Sequence, residues 1–268
     1  MSLAELFPDG DYRFHLTLRR AEPREFFAPR DSSGSVLAER AQWLDTEPGK
    51  YAAILPEGEA ALREFATMAS TWDPAPGDSA LSTLPALQVV HRLGRSLEPD
   101  LLFLSADEDG EFRLRGGALC FPTGWALDEK LGHTIEIIHG VVPGLNAALA
   151  APIRQFLSRL KPGTAFLREN WGVAATEEMN LHPSRGVAAP ELPVALDRLW
   201  LRVEHQALVA LPVSRGIVFG IRIALHPLKE VAAGPYAQSF RHALGTMPAE
   251  MVVYKRLEQI REHLLNML

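Results

Sequence analysis

Leu199-Trp-Leu-Arg-Val-Glu-His-Gln-Ala-Leu-Val-Ala-Leu-Pro212 and, after Val213–Arg215, Gly216-Ile-Val-Phe-Gly-Ile-Arg-Ile-Ala-Leu-His-Pro-Leu228 form the stretch that decides the fold. Both runs are rich in β-branched residues at alternate positions, which predicts two antiparallel strands joined by a tight connection. Side chains alternate across a strand, so Leu199, Leu201, Val203 and His205 share one face and Trp200, Arg202, Glu204 and Gln206 the other. One face is apolar; the other carries chemistry. A second hairpin is legible from Asp100 to Trp125, where two apolar runs flank Asp107-Glu108-Asp109-Gly110 and the glycine suits a positive φ. A short alternating run from Tyr12 to Leu18 predicts one more strand early in the chain.

Helical spacing surrounds these strands. Leu62, Phe65, Met68 and Ala69 recur at helical intervals within Val36–Trp72. A break from Trp72 to Pro85, rich in Pro, Asp and Gly, separates them from an apolar stretch, Leu84–Leu93, that also suits a helix. Pro143–Leu160 reads as a helix with proline at its start, a face of Leu145, Leu149, Ile153, Phe156, Leu157 and Leu160, and Lys161-Pro162-Gly163 as its stop. Two further helices are expected at Tyr236–Leu244 and Ala249–Leu268, the latter opened by Pro248. The sum is an α+β architecture, an antiparallel sheet with helices packed around it. The 268 residues are expected to form a single domain, 1–268, with helical extensions at both ends.

Composition narrows the chemistry. A formal net charge of −6 with scattered Lys and Arg gives no reason to expect a nucleic-acid or anionic-membrane partner. The start of the chain has neither the basic residues nor the apolar core of a signal peptide, and Arg222 interrupts its most apolar stretch, so a cytoplasmic, membrane-free protein is expected. Cys120 is the only cysteine, so the chain makes no internal disulfide and holds no iron–sulfur cluster by itself. Redox chemistry here would need electrons from another protein. Gly-rich phosphate loops, H-E-x-x-H, paired C-x-x-C and G-x-S-x-G are all missing.

Aromatics, glycines, prolines and histidines concentrate in two stretches, Ala118–Gly144 and Leu160–Val173. His139, after Ile137-Ile138, is either an axial ligand for haem iron or a histidine bonded to a backbone carbonyl. His205 could ligate a metal or pack; His182 and His226 suit loops, and His133 an exposed turn. Arg202 and Arg222 offer guanidinium forks suited to carboxylates such as haem propionates, or an ion pair with Glu204. Phe121, Trp125 and Trp171 could wall a cofactor or a small cation, or belong to the core. Cys120 reads as a small hydrophobe.

Several fragments recur in a fixed order: Cys120-Phe-Pro-Thr-Gly-Trp125, Lys130-Leu-Gly132, Ile138-His139 with Val142-Pro-Gly144, Leu160-Lys-Pro-Gly163, Asn170-Trp171, Leu201-Arg-Val-Glu204 with Gln206, Ile221-Arg222, Pro227-Leu228, and Met251 with Tyr254-Lys255. Together they resemble the alpha-subunit-like proteins of haem-dependent oxidative N-demethylase, the oxygenase part of dimethylamine monooxygenase. The resemblance implies a PAS-like sheet that binds haem b and oxidises an N-methyl group of a small methylated amine to formaldehyde. NADPH electrons would arrive through flavin and iron–sulfur reductase partners. It makes His139 the expected iron ligand and Arg202, Arg222 and Glu204 expected propionate or substrate contacts; with the aromatic walls, Phe121 and Trp125 join the expected cofactor contacts, and Glu204 and Trp171 are the catalytic candidates. Where it leads one to expect Arg before Gln206, this chain has His205, a rival ligand. The competing expectation is a non-catalytic haem sensor or a binder of another small ligand.

Overall fold

The computed structural model describes residues 6–7, 10–72 and 79–268. Among them, one antiparallel sheet is built from β1 (Arg19–Ala21), β2 (Ala52–Ile54), β3 (Asp100–Ala106), β4 (Phe112–Ala118), β5 (Ala165–Ala174), β6 (Trp200–Ala210) and β7 (Ile217–Pro227), in the order β1-β5-β6-β7-β3-β4-β2. The deciding stretch forms its centre, with β6 and β7 paired along their length from Trp200↔Pro227 to Ala210↔Ile217. The β3–β4 hairpin turns as expected, with Gly110 at φ +81°. Helices in chain order are α1 (Pro23–Phe27), α2 (Ser35–Thr46), α3 (Pro48–Tyr51), α4 (Glu59–Ala69), α5 (Ala86–Ser96), α6 (Leu127–Lys130), α7 (Ile135–His139), α8 (Leu145–Ser158), α9 (Leu228–Ala233), α10 (Ala237–Thr246), α11 (Ala249–Tyr254) and α12 (Arg261–Met267). The fold is α+β. None of these helices is long and apolar enough to cross a membrane.

Two sheet faces are covered differently. On one, Phe26 and Phe27 close over Gly220, where an added Cβ would meet the Phe26 ring at 2.7 Å, and Leu62, Phe65, Val90 and Leu93 of α4 and α5 complete that core. The same face continues under the C-terminal helices, where Leu201 and Val203 pack with Phe240, Leu244 and Leu264. Each such side chain contributes roughly 1.5–3 kcal/mol by leaving water. On the other face, Ile153 and Leu157 of α8 pack over Leu102, Leu104, Leu114 and Ile221. Covering both faces is why these strands read as nearly continuous apolar runs.

Two buried features hold the segment that enters the site. Asp100 pairs with Arg40 at 2.6 Å and accepts the backbone N–H groups of Cys120 (2.6 Å) and Phe121 (3.0 Å), fixing the start of Cys120–Trp125. Gly117, at φ +149°, lets β4 approach β3, because a Cβ there would fall 1.9 Å from the Leu101 carbonyl oxygen.

Three expectations need correction. Tyr12–Leu18 has no ladder; only Arg19–Ala21 pairs, with Ala165–Leu167, while the Tyr12 N–H donates to Thr246 Oγ1 at 2.9 Å. Ala249–Leu268 is not one helix, because Arg256 takes a left-handed φ of +57° and the chain turns between α11 and α12. α8 starts at Leu145, capped by left-handed Gly144, two residues after Pro143. Residues 73–78 of the expected break lie outside the described residues.

A cleft between the sheet and the His139 arch

Ladder register decides which side chains meet. Arg168 pairs with Gln206 and Gln206 with Ile221; one step along, Asn170 pairs with Glu204 and Glu204 with Ile223. These residues share the α8 face of the sheet. Glu204 is their hub: Oε1 accepts the Thr123 hydroxyl at 2.6 Å, and Oε2 accepts Gln206 Nε2 at 2.8 Å and Asn170 Nδ2 at 3.3 Å. The Thr123 hydroxyl in turn accepts Arg202 Nε at 2.9 Å. Thr123 has one proton and spends it on Glu204, so the Arg202–Thr123–Glu204 chain has a single sense.

Over this floor the chain arches through α7 and α8. Thr134 starts α7 by accepting the Ile137 N–H at 3.2 Å, and one turn later the helix ends at His139. Ile138 packs onto the core beneath α8, and a small cavity of about 20 Å³ between α7, α8 and the start of β4 is lined by Phe112, Ile135, His139, Asn146, Ile153 and Leu157. Burial, with the Arg168 charge adding to it, pushes His139 down to about 4, so its imidazole is neutral at pH 7. Among the described residues nothing hydrogen-bonds its ring.

The α11–α12 turn closes the opposite side. It carries Lys255, whose Nζ donates to the Trp171 carbonyl at 2.5 Å and lies 5.1 Å from that indole's centroid. Burial pushes Lys255 down to about 8, with Arg168 adding to that and Glu204 opposing it. Burial and the nearby Glu204 raise Tyr254.

Of the residues singled out from sequence, His139 and Glu204 each lie within reach of the Arg168 charge, and Trp125 is half-buried against the same core as α8. Arg202 lies beneath it with its forks committed: NH2 donates to the carbonyls of Phe121 (2.9 Å) and Met179 (2.7 Å), leaving neither a propionate contact nor a direct pair with Glu204. Burial pushes it down to about 10. Arg222 is on the opposite face, paired with Glu98 and bonded to the Phe26 and Ala28 carbonyls, so it is structural. Phe121 is core, its ring under the Arg40 guanidinium at 5.5 Å. Trp171 is core too, edge-on to Phe7 and Phe240 at 5.4 and 5.5 Å. His205 also faces away, with Nδ1 3.8 Å from Glu169. His182 is buried and caps the turn at Pro183–Arg185, and His226 ends β7 rather than lying in a loop. Arg168 was missed. Its signal was alternation along β5, which puts Arg168 and Asn170 on the face of Glu204.

The family model described as haem-dependent oxidative N-demethylase, alpha subunit-like, matches residues 75–265. The chain belongs to that family. The match covers β3–β7 and all the cleft residues described above, while the part of the chain before residue 75, including β1 and β2, lies outside it. Haem dependence is part of the family's description, and the residues present fit that group. A neutral imidazole with no hydrogen bond to its ring among the described residues is available as ligand, the partly buried Ile223 offers apolar surface, and Arg168 supplies a cation. No group of three or more His, Cys, Asp or Glu suited to a bare metal ion occurs among the described residues, whereas haem iron needs only an axial protein ligand.

Proposed function

We propose that this chain is the oxygenase subunit of a cytoplasmic amine N-demethylating system, holding haem b in the cleft through His139. The observation that carries the reading is that Arg168, on the sheet face that carries Glu204, lies near both a neutral His139 with no hydrogen bond to its ring among the described residues and Glu204, where the Arg202–Thr123–Glu204 chain ends. A central antiparallel sheet with α6–α8 inserted between β4 and β5 supports the PAS-like reading.

When bound, haem supplies the activation of dioxygen and the oxidation of an N-methyl C–H bond. The protein's part is placement. His139 holds the group against the sheet. Glu204, fixed by Thr123, Gln206 and Asn170, accepts an N–H of the amine and orients its methyl group inward, while Thr123 holds a proton beside the reacting centre. The hydroxylated methyl collapses to formaldehyde. One dioxygen, a pair of electrons and a pair of protons yield formaldehyde, the shortened amine and one water. The electrons come from NADPH through flavin and iron–sulfur reductase partners, since Cys120 is the only cysteine and its thiol is pushed up to about 12 by burial.

The test is formaldehyde release from secondary and tertiary methylamines by the haem-loaded protein with an electron donor. Release supports the reading. Haem binding without release from any methylated amine would favour a sensor instead.

A further inference from the structure

Building on the haem-cleft reading, we propose that Arg168 is a carboxylate-binding residue of the cleft, receiving either a haem propionate or the carboxylate of an N-methylated amino acid. Among the described residues its guanidinium makes no hydrogen bond and no ion pair. The two carboxylates whose charge it feels are committed elsewhere: Glu204 to Thr123, Gln206 and Asn170, and Glu169 to Arg19 on the other face. Arg168 is half-buried on the sheet, and its planar fork fits a carboxylate bidentately. Its position suits the task. Arg168 stands across the ladder from Gln206, on the sheet face that carries Glu204 and Asn170, and its charge reaches His139 and Lys255 as well, so a carboxylate on it faces the same side of the sheet as they do. Glu204 alone does not balance Arg168 and Lys255, and one incoming carboxylate restores the balance.

Arg168→Gln keeps the size and removes the charge. Because the guanidinium has no partner among the described residues, the apo variant should be at least as stable to urea as the wild type, which separates this role from a structural one. Haem is then titrated into both apo proteins, and the loaded proteins are titrated with dimethylamine and with N-methylglycine while the haem spectrum is followed. If the source is a propionate, Arg168→Gln weakens haem binding at least about tenfold and Arg168→Lys restores part of it. If the source is the substrate, haem affinity is unchanged and binding of N-methylglycine, not dimethylamine, falls at least about tenfold. Unchanged affinity for haem and for both amines overturns the inference while leaving the proposed function standing. Should the wild type take no haem, that function fails, and Arg168 is read by thermal shift of the apo protein with propionate. Stabilisation of wild type but not Arg168→Gln supports it; equal responses overturn it.

Discussion

His139 and His205 stand on opposite faces of one sheet. His205 is directly across the ladder from Arg222 and Glu169, while His139 lies over the face of their neighbours Arg168 and Gln206. They cannot ligate the same iron. His205→Ala is therefore expected to keep the wild-type haem spectrum, and a lost or shifted spectrum in that variant would move the haem to the other face.

Asp100 is expected to be among the costliest side chains to remove. It neutralises Arg40 and takes the Cys120 and Phe121 N–H groups, so Asp100→Ala leaves a buried guanidinium without its partner. We expect a loss of about 3–5 kcal/mol in urea unfolding. A loss below about 1 kcal/mol, the range of exposed pairs, would mean that the pair is not buried in solution.

Two glycines with positive φ should respond differently. Gly117→Ala drives a methyl into the Leu101 carbonyl and should cost more than about 3 kcal/mol or prevent folding. Gly110→Ala, at a turn with nothing within 4 Å of the added Cβ, should cost only the left-handed backbone term of about 1–2 kcal/mol. Equal losses in thermal unfolding would contradict the close β3–β4 approach.

Lys255 gives the alkaline limb of stability a definite sign. Burial lowers it from 10.5 to about 8 in the folded chain, so between those values the unfolded chain binds more protons and stability rises with pH. Below about 8 both states are protonated and the cost of the buried charge is fully present. Lys255→Met should flatten that rise, measured by urea midpoints from pH 7 to 10.5; an unchanged slope would place the ammonium in solvent.

Hairpins and long helices were legible because periodicity is local: β3–β4, β6–β7, α5 and α8 follow from alternation and from apolar faces. The alternation of β6 also separated the Glu204 face from the His205 face. What it could not supply was the offset between strands. Arg202 and Arg222 were both expected to reach carboxylates at the cofactor, yet the ladder sets Arg222 across from His205 and Arg202 across from Leu225, on opposite faces. Trp171 looked like a cofactor wall, but its parity on β5 turns it under Phe240 and brings Arg168 and Asn170 into the cleft instead. Arg256 hid its turn, since a left-handed arginine in an amphipathic run carries no glycine to announce it.

Glu204→Gln should separate binding from turnover. The amide still accepts from Thr123 but loses the charge that orients an ammonium, so the haem spectrum should persist while formaldehyde release falls at least about tenfold. Unaltered release would remove Glu204 from the mechanism.

The central claim is most directly tested by the haem absorption spectrum of wild type and His139→Ala, each folded and supplied with haem. The account predicts an intense Soret band in the wild type that is lost or shifts in position and spin state in His139→Ala. An identical Soret band in both proteins would contradict it.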